Sequence, residues 1–213
     1  MDIVLPVLGG LGLFLYGMTM MGSGLQKAAG ARLKKIIEIL TTNIYMGILV
    51  GTLVTMIIQS SGATTVMVIG FVNAGIMSLL QATGVIMGAN IGTTITAQLI
   101  AFNLTDYAPI AVIIGVGLWI TSSKKKTKDI AEILIGVGIL FIGMGMMGDG
   151  LKPLSQSPGF TRFMISLDNP IMGMLAGFAL TTIVQSSSAS VGLLQALGGE
   201  GLKSINLAFP ILF

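Results

Sequence analysis

The chain has 213 residues, 54% of them hydrophobic and only 9% charged, with a formal net charge of +3 and a mean hydropathy of +0.96. Soluble globular domains do not reach such values, so the sequence describes an integral membrane protein, in which the placement of Lys and Arg matters more than their sum. Because it has no cysteine and no histidine, disulfides, thiolate or imidazole metal centres and histidine proton relays are excluded, and neither an enzyme, a resident cofactor nor a nucleic-acid partner is expected.

The first apolar block, residues 3 to 25, opens with "MDIVLPVLGGLGLFLYGM", which lacks a basic n-region and a small-residue cleavage site and reads as a retained helix, not a signal peptide. The next block, 44 to 80, is too long for one crossing of about 20 residues at about 1.5 Å each, and too short for two with a loop outside the membrane. Its polar stretch, "QSSGATT" from Gln59, falls near the midpoint. A helical hairpin that turns around inside the membrane satisfies both facts, provided the turn is buried in protein or faces water. Further single helices are expected from the blocks at 82 to 102, 107 to 121 and 129 to 148. The polar island "GANIGTTIT" at 88 to 96 is expected to interrupt the first of these, with glycine opening the backbone. Block 171 to 199 repeats the hairpin pattern around "QSSSAS" from Gln185, and a last apolar block runs from 204 onward. The 30 glycines and 15 methionines suit tightly packed membrane helices, where small residues let backbones approach.

The sequence also repeats itself. A shift of 126 positions lays Gly17, Met18, Met20, Met21, Gly22, Gly24 and Leu25 on Gly143, Met144, Met146, Met147, Gly148, Gly150 and Leu151. Without a gap, it also lays Asn43, Gly47, Gly51, Thr55, Gln59, Ser60, Ser61 and Ala63 on Asn169, Gly173, Gly177, Thr181, Gln185, Ser186, Ser187 and Ala189. One register across two blocks identifies a duplication. Residues 1–126 form a first transmembrane repeat with its hairpin at 44–80, and residues 127–213 a second, incomplete repeat with its hairpin at 171–199. The same shift pairs Phe213 with Met87, so a second "GANIGT" equivalent is expected to begin at the next residue of the native gene.

Counting crossings orients the copies. The first repeat holds one helix before its hairpin and two after it, an odd number of crossings whether the hairpin is re-entrant or both arms span. The second repeat must then enter from the opposite side, as in inverted-repeat transporters. Loop charges agree: Lys27, Arg32, Lys34, Lys35 and Lys124, Lys125, Lys126, Lys128 fall on one side, which is the cytoplasmic one, and Lys152, Arg162 and Lys203 on the other. The fold class expected is an all-α, multi-pass protein of the cell membrane, a bundle of two inverted repeats each with a re-entrant hairpin.

The hairpin tips carry the chemistry. Where the first arm ends near Gln59, helix carbonyls without partners form a negative end suited to a cation. Where the second arm begins near Ser61, free N–H groups form a positive end suited to an anion. Gln59, Ser60, Ser61 and Gly62 thus make one candidate substrate site, and Gln185, Ser186, Ser187 and Ser188 supply a second tip from the opposite face, so that the two could hold one substrate. The hard oxygens of Ser60, Thr64, Asn90, Thr93 and Thr94 are the candidate ligands for a small cation such as sodium, the expected coupling ion.

These segments resemble the type II sodium/phosphate cotransporters, a family whose duplicated core carries a Gln-Ser-Ser-Ser signature in each half. "QSSGATT" and "QSSSAS" look like the two signatures, and "GANIGTT" like the element that follows the first. The resemblance covers nearly the whole chain and implies sodium-coupled uptake of inorganic phosphate, with both signatures at the substrate site. One departure is Gly62, where the family usually has its third serine; a backbone role survives there, a side-chain role does not.

Plainer readings stand beside these. Serines in membrane helices often bond back to their own helix or join neighbours, but duplication of the tripeptide with its glutamine weighs against that here. The Gly-Met pattern at 17 to 25 and 143 to 151 reads as packing, the lysine run at 124 to 128 as a topology signal, Asp149 as an interfacial carboxylate and Trp119 as an interface anchor. The runner-up functions are a sodium/dicarboxylate carrier, an anion channel and a phosphate-sensing membrane protein. Expected partners are inorganic phosphate, sodium and the lipid bilayer, and a homodimer is compatible with the sequence.

Overall fold

Polar caps set the helix ends. The computed structural model of the protein describes residues 3–29, 43–102, 104–155, 157, 159, 169–184 and 186–199, and among these all regular structure is helical. In chain order the α-helices are α1 (Val4–Ala29), α2 (Ile44–Ile58), α3 (Ser61–Asn73), α4 (Leu79–Ala101), α5 (Ala108–Thr121), α6 (Lys125–Ser155), α7 (Pro170–Val184) and α8 (Ser187–Gly199), with a 3-10 turn at Thr105–Tyr107 before α5. Asn43 caps α2 by accepting from the Met46 N–H at 2.9 Å, and Ser60 caps α3 by accepting from the Ala63 N–H at 3.1 Å. A Ser-x-x-Gln capping box opens α4: Gln81 Oε1 accepts from the Ser78 N–H at 2.8 Å and Ser78 Oγ from the Gln81 N–H at 3.3 Å. Three stretches are long and apolar enough to cross a bilayer: Val4–Ala29, Leu79–Ala101 and Lys125–Pro153. The protein is therefore an all-helical membrane protein.

The chain divides into two compact units, one of Thr19–Leu99 with Ala111–Gly136, the other of Met1–Met18, Ile100–Ile110 and Val137–Phe213. In the first of these, α2, α3 and α4 share a core of Val50, Val54, Ile58, Val68, Phe71, Met77, Ala82 and Val85. α2 and α4 run parallel along a seam of glycines. A Cβ built on Gly51 would lie 2.1 Å from the Val85 carbonyl oxygen, one on Gly84 2.6 Å from that of Ile44, and one on Gly88 2.1 Å from that of Ile48. No side chain fits between these backbones. Because α4 starts beside the start of α2, α3 must carry the chain back, so α2 and α3 form a hairpin, and the left-handed Gly75 (φ +70°) after α3 turns the chain toward α4.

Two expectations change here. The hairpin within block 44–80 ends at Asn73, and α4 begins at Leu79, three residues before the expected 82, because the Gly75 turn and the Ser78 cap intervene. More importantly, "GANIGTTIT" does not interrupt its helix: α4 is continuous over Leu79–Ala101. Gly84, Gly88 and Gly92 recur every fourth residue, one face of a helix, and serve close approach to α2 instead of opening the backbone.

In the same unit Lys27, at the end of α1, donates to both Glu132 carboxylate oxygens at 2.7 Å, tying it to the first turns of α6. The exposed Trp119 has the Lys128 ammonium 5.7 Å from its ring centroid.

In the other unit α1 and α6 pack antiparallel. A Cβ on Gly10 would meet Gly143 O at 2.6 Å, one on Gly143 the Phe14 N at 2.4 Å, and one on Gly150 the Val7 Cγ2 at 2.9 Å. The Gly-Met segments are thus packing elements at Gly143 and Gly150. Asp149 is exposed and pairs with Lys152 at 2.6 Å. α7 and α8 are bent by 119° at their junction.

The duplication is visible in the helices. A shift of 126 carries Ile44–Ile58 onto Pro170–Val184 and Ser61–Asn73 onto Ser187–Gly199, residue for residue, and the last residue of α1 onto that of α6.

Candidate functional site

The first tip is built from the end of α2 and the start of α3. α2 stops because Gln59 turns left-handed, φ 59° and ψ 24°, with its N–H bonded to the Thr55 carbonyl at 2.7 Å; this is the αL termination usually made by glycine. Ser60 is extended (φ −149°, ψ 105°) and places its hydroxyl over the first turn of α3. Two hydroxyls lock the arms together: Thr55 Oγ1 donates to Thr64 Oγ1 at 3.0 Å, and Thr64 Oγ1 donates to the Ser60 carbonyl at 3.1 Å. Thr55 and Thr64 are buried.

With Ser60 at the cap, the Ala63 N–H is taken by its side chain and the Thr64 N–H by its carbonyl. The N–H groups of Ser61 and Gly62 have no partner among the described residues, and Ser60 and Gly62 are exposed. Two adjacent N–H groups at the positive end of a helix, with serine hydroxyls beside them, can bind an anion oxygen.

The negative end differs from expectation. Of the α2 carbonyls near Gln59, that of Thr55 accepts from the Gln59 N–H, that of Met56 from Gln59 Nε2, and that of Ile58 from Gln26 Nε2 of α1 at 2.8 Å. The protein itself supplies those partners, because the left-handed turn and a neighbouring helix bring donors to them. Gln59 Oε1 in turn accepts from Thr96 Oγ1 of α4 at 2.6 Å. Neither Gln26 nor Thr96 stood out in the sequence. The one signal for Thr96 is its register, four residues beyond Gly92 on the face of α4 that packs against α2.

Among the cation candidates, Ser60 and Thr64 are hydrogen-bonded to each other through the Ser60 carbonyl. Thr93 Oγ1 bonds back to the Ala89 carbonyl at 3.1 Å and Thr94 Oγ1 to that of Ile91 at 2.7 Å, while Asn90 is exposed on α4. No hydrogen bond joins Asn90, Thr93 or Thr94 to the tip among the described residues.

The second tip repeats the first. Ser186 Oγ accepts from the Ala189 N–H at 3.3 Å, Ser190 Oγ donates to the Ser186 carbonyl at 3.1 Å, and the Thr181 and Ser190 hydroxyls lie 3.1 Å apart. These are the bonds of Ser60, Ala63, Thr64 and Thr55 moved by 126 positions. Ser187 is exposed at the head of α8 and Ser188 is buried. Gln185 lies outside the described residues. From residue 39 to 105, and again from 169 to 199, the chain has no charged side chain. The polar groups within these two segments are backbone groups, hydroxyls and amides.

The family model for Na+/Pi-cotransporters matches residues 13–149 and 142–213. A Salmonella typhimurium protein named as an inorganic phosphate export protein, YjbB, is 27% identical over 98% of this chain and 38% of its own length. YqeW of Bacillus subtilis, whose name assigns no activity, is 29% identical over 93% of this chain and 64% of its own. The sodium-dependent phosphate transport protein 2A of Mus musculus is 33% identical over 77% of this chain and 28% of its own. The chain thus spans less than two thirds of the length of each of these relatives. No solved structure gives a significant match.

Proposed function

Because the chain belongs to the Na+/Pi-cotransporter family, we propose that the protein it forms is a sodium-coupled carrier of inorganic phosphate, multi-pass in the cell membrane. Its phosphate ligands are Gln59, Ser60, Ser61 and Gly62 in one repeat and Gln185, Ser186, Ser187 and Ser188 in the other. The observation that carries this reading is the recurrence of one hydrogen-bonded tip in both repeats, with a serine cap at the head of the second helix each time. The repeats have inverted topology with re-entrant hairpins; the antiparallel packing of α1 on α6, whose last residues correspond under the repeat, speaks for this.

Sodium enters through charge balance. Phosphate carries about −1 to −2 near neutral pH, and two half-helix ends of about +0.5 each offset roughly one unit. With no Lys or Arg in either hairpin, coupling cations supply the remainder. Ser60, Thr64, Asn90, Thr93 and Thr94 are their proposed oxygen ligands, with Thr93 and Thr94 turning from their helix carbonyls when the ion binds.

The relatives' names differ on direction, one speaking of export and another of sodium-dependent transport. The test is labelled phosphate flux through the complete protein in proteoliposomes, with sodium gradients of either sign and with succinate as competitor. Flux that follows the sodium gradient and ignores succinate is expected. Flux indifferent to sodium points to a channel, and succinate transport to a dicarboxylate carrier. Gln59→Ala and Gln185→Ala are each expected to abolish flux in protein that still inserts; retention of flux in both removes the tips as the site.

A further inference from the structure

Gln59 occupies a left-handed backbone conformation that is strained for a non-glycine residue, and its side chain is held at both ends. Oε1 accepts the Thr96 hydroxyl proton, and Nε2 donates to the Met56 carbonyl. A carboxamide has two oxygen lone pairs and two N–H groups, so one of each is left over. The orientation of the amide is not interchangeable: turned over, it would set Oε1 against the Met56 carbonyl, acceptor against acceptor.

Thr96 can act as a fixed reference because of its helix. It is buried, and Gly92 one turn earlier lets α4 touch α2 directly, a Cβ there coming 2.6 Å from the Thr52 carbonyl oxygen and 2.9 Å from Thr55 Cβ. α1 supports the other side of the same residue. Gln26 holds the Ile58 carbonyl, and a Cβ on Gly22 would lie only 3.3 Å from Gln59 Cβ.

We infer that Thr96 is a positioning residue: its hydroxyl clamps the Gln59 carboxamide so that the second N–H and the second oxygen lone pair are offered to phosphate and sodium in one orientation. This rests on the reading of Gln59 as a ligand given above. The side chain touches no substrate itself and acts through Gln59.

The test uses the complete protein with Thr96→Val, which keeps the shape and removes the hydroxyl, and Thr96→Ser, which keeps the hydroxyl. Thr96→Val is expected to raise the phosphate concentration for half-maximal flux by about tenfold, the factor that corresponds to losing one hydrogen bond to a binding group. The maximal rate should fall far less, and Thr96→Ser should restore most of the affinity. A wild-type half-saturation in Thr96→Val, or equal impairment in Thr96→Ser, overturns the inference.

A second arm does not need transport. In thermal unfolding, the Gln59→Ala/Thr96→Val double variant should lose no more than Gln59→Ala alone, because the hydroxyl has then nothing left to hold. Additive losses also overturn the inference. Should the wild-type protein carry no phosphate, the proposed function falls, and the thermal arm alone still decides whether Thr96 holds Gln59.

Discussion

Thr55 and Thr64 face each other across the first tip with their hydroxyl oxygens 3.0 Å apart, and neither reaches solvent. Removing the Thr64 hydroxyl strands that of Thr55, and removing the Thr55 hydroxyl takes from Thr64 the bond it accepts, whereas removing both leaves two apolar side chains of the same shape in contact. Thr55→Val and Thr64→Val are each expected to cost about 1 kcal/mol, and the double variant less than their sum. Thermal unfolding in detergent reads this directly. Additive costs would mean that the two hydroxyls do not hold the arms together.

The glycine seam gives a sharper contrast. Gly51→Ala and Gly88→Ala would each drive a methyl group to 2.1 Å from a backbone oxygen on the opposing helix. Overpacking of that kind costs about 1 to 3 kcal/mol or more, and both variants should express poorly or unfold early. Gly117 has nothing within 4 Å of an added Cβ, so Gly117→Ala should be neutral or stabilising by a few tenths, up to about 1 kcal/mol. Equal behaviour of the three variants would dissolve the seam.

Glu132 is nearly buried and Lys27 half exposed. Lys27→Ala leaves the carboxylate without its ammonium, and because Lys27 is partly solvated the expected loss is about 1 to 2 kcal/mol, below the range for fully buried pairs. The charge-swapped variant, Lys27→Glu with Glu132→Lys, should recover part of it. If the swap behaves no better than either single reversal, the pair is incidental.

Gly62 offers a test of what the first tip uses. The nearest atom to an added Cβ is Ser60 Oγ at 4.0 Å, so Gly62→Ser fits and should raise stability by a few tenths of a kcal/mol, as expected for serine against glycine in a helix (about 0.5 kcal/mol). The N–H at that position is untouched, so phosphate flux should persist. Loss of flux in a stable Gly62→Ser protein would show that the tip needs the open space itself.

Much of this was legible in sequence, for physical reasons that can be named. The break at Gln59 and Ser60 showed because the polar tripeptide falls near the midpoint of a block too long for one crossing and too short for two, where the chain has to turn. The helix starts at Asn43 and Ser60 follow local capping chemistry, which a sequence carries within four residues. The repeat was readable because the same constraints recur at a fixed spacing of 126. The contacts of Gln59 with Thr96, of Gln26 with Ile58, and of Lys27 with Glu132 depend on which helix faces meet. Partners 37, 32 and 105 residues apart leave no local trace. The glycines of "GANIGTT" read in sequence as a break, because glycine and polar side chains in an apolar run are equally a sign of opened backbone. Their four-residue spacing, continued back to Gly84, was the sign of a helix face.

The seam between α2 and α4 also has a mechanical consequence. Side chains at an ordinary helix interface can change rotamer and let one helix slide, but here backbone rests on backbone, and sliding would carry Gly51, Gly84 and Gly88 off the points where the two main chains meet. α2 and α4 are thus geared together. Any cycle that exposes the first tip to one side of the membrane and then the other must carry α2, α3 and α4 as a single stiff lever, with the bending done at joints outside the seam. Spin labels on α2 and α4 should keep one separation distribution with and without sodium and phosphate. A separation that changes with either ion would mean the gearing slips.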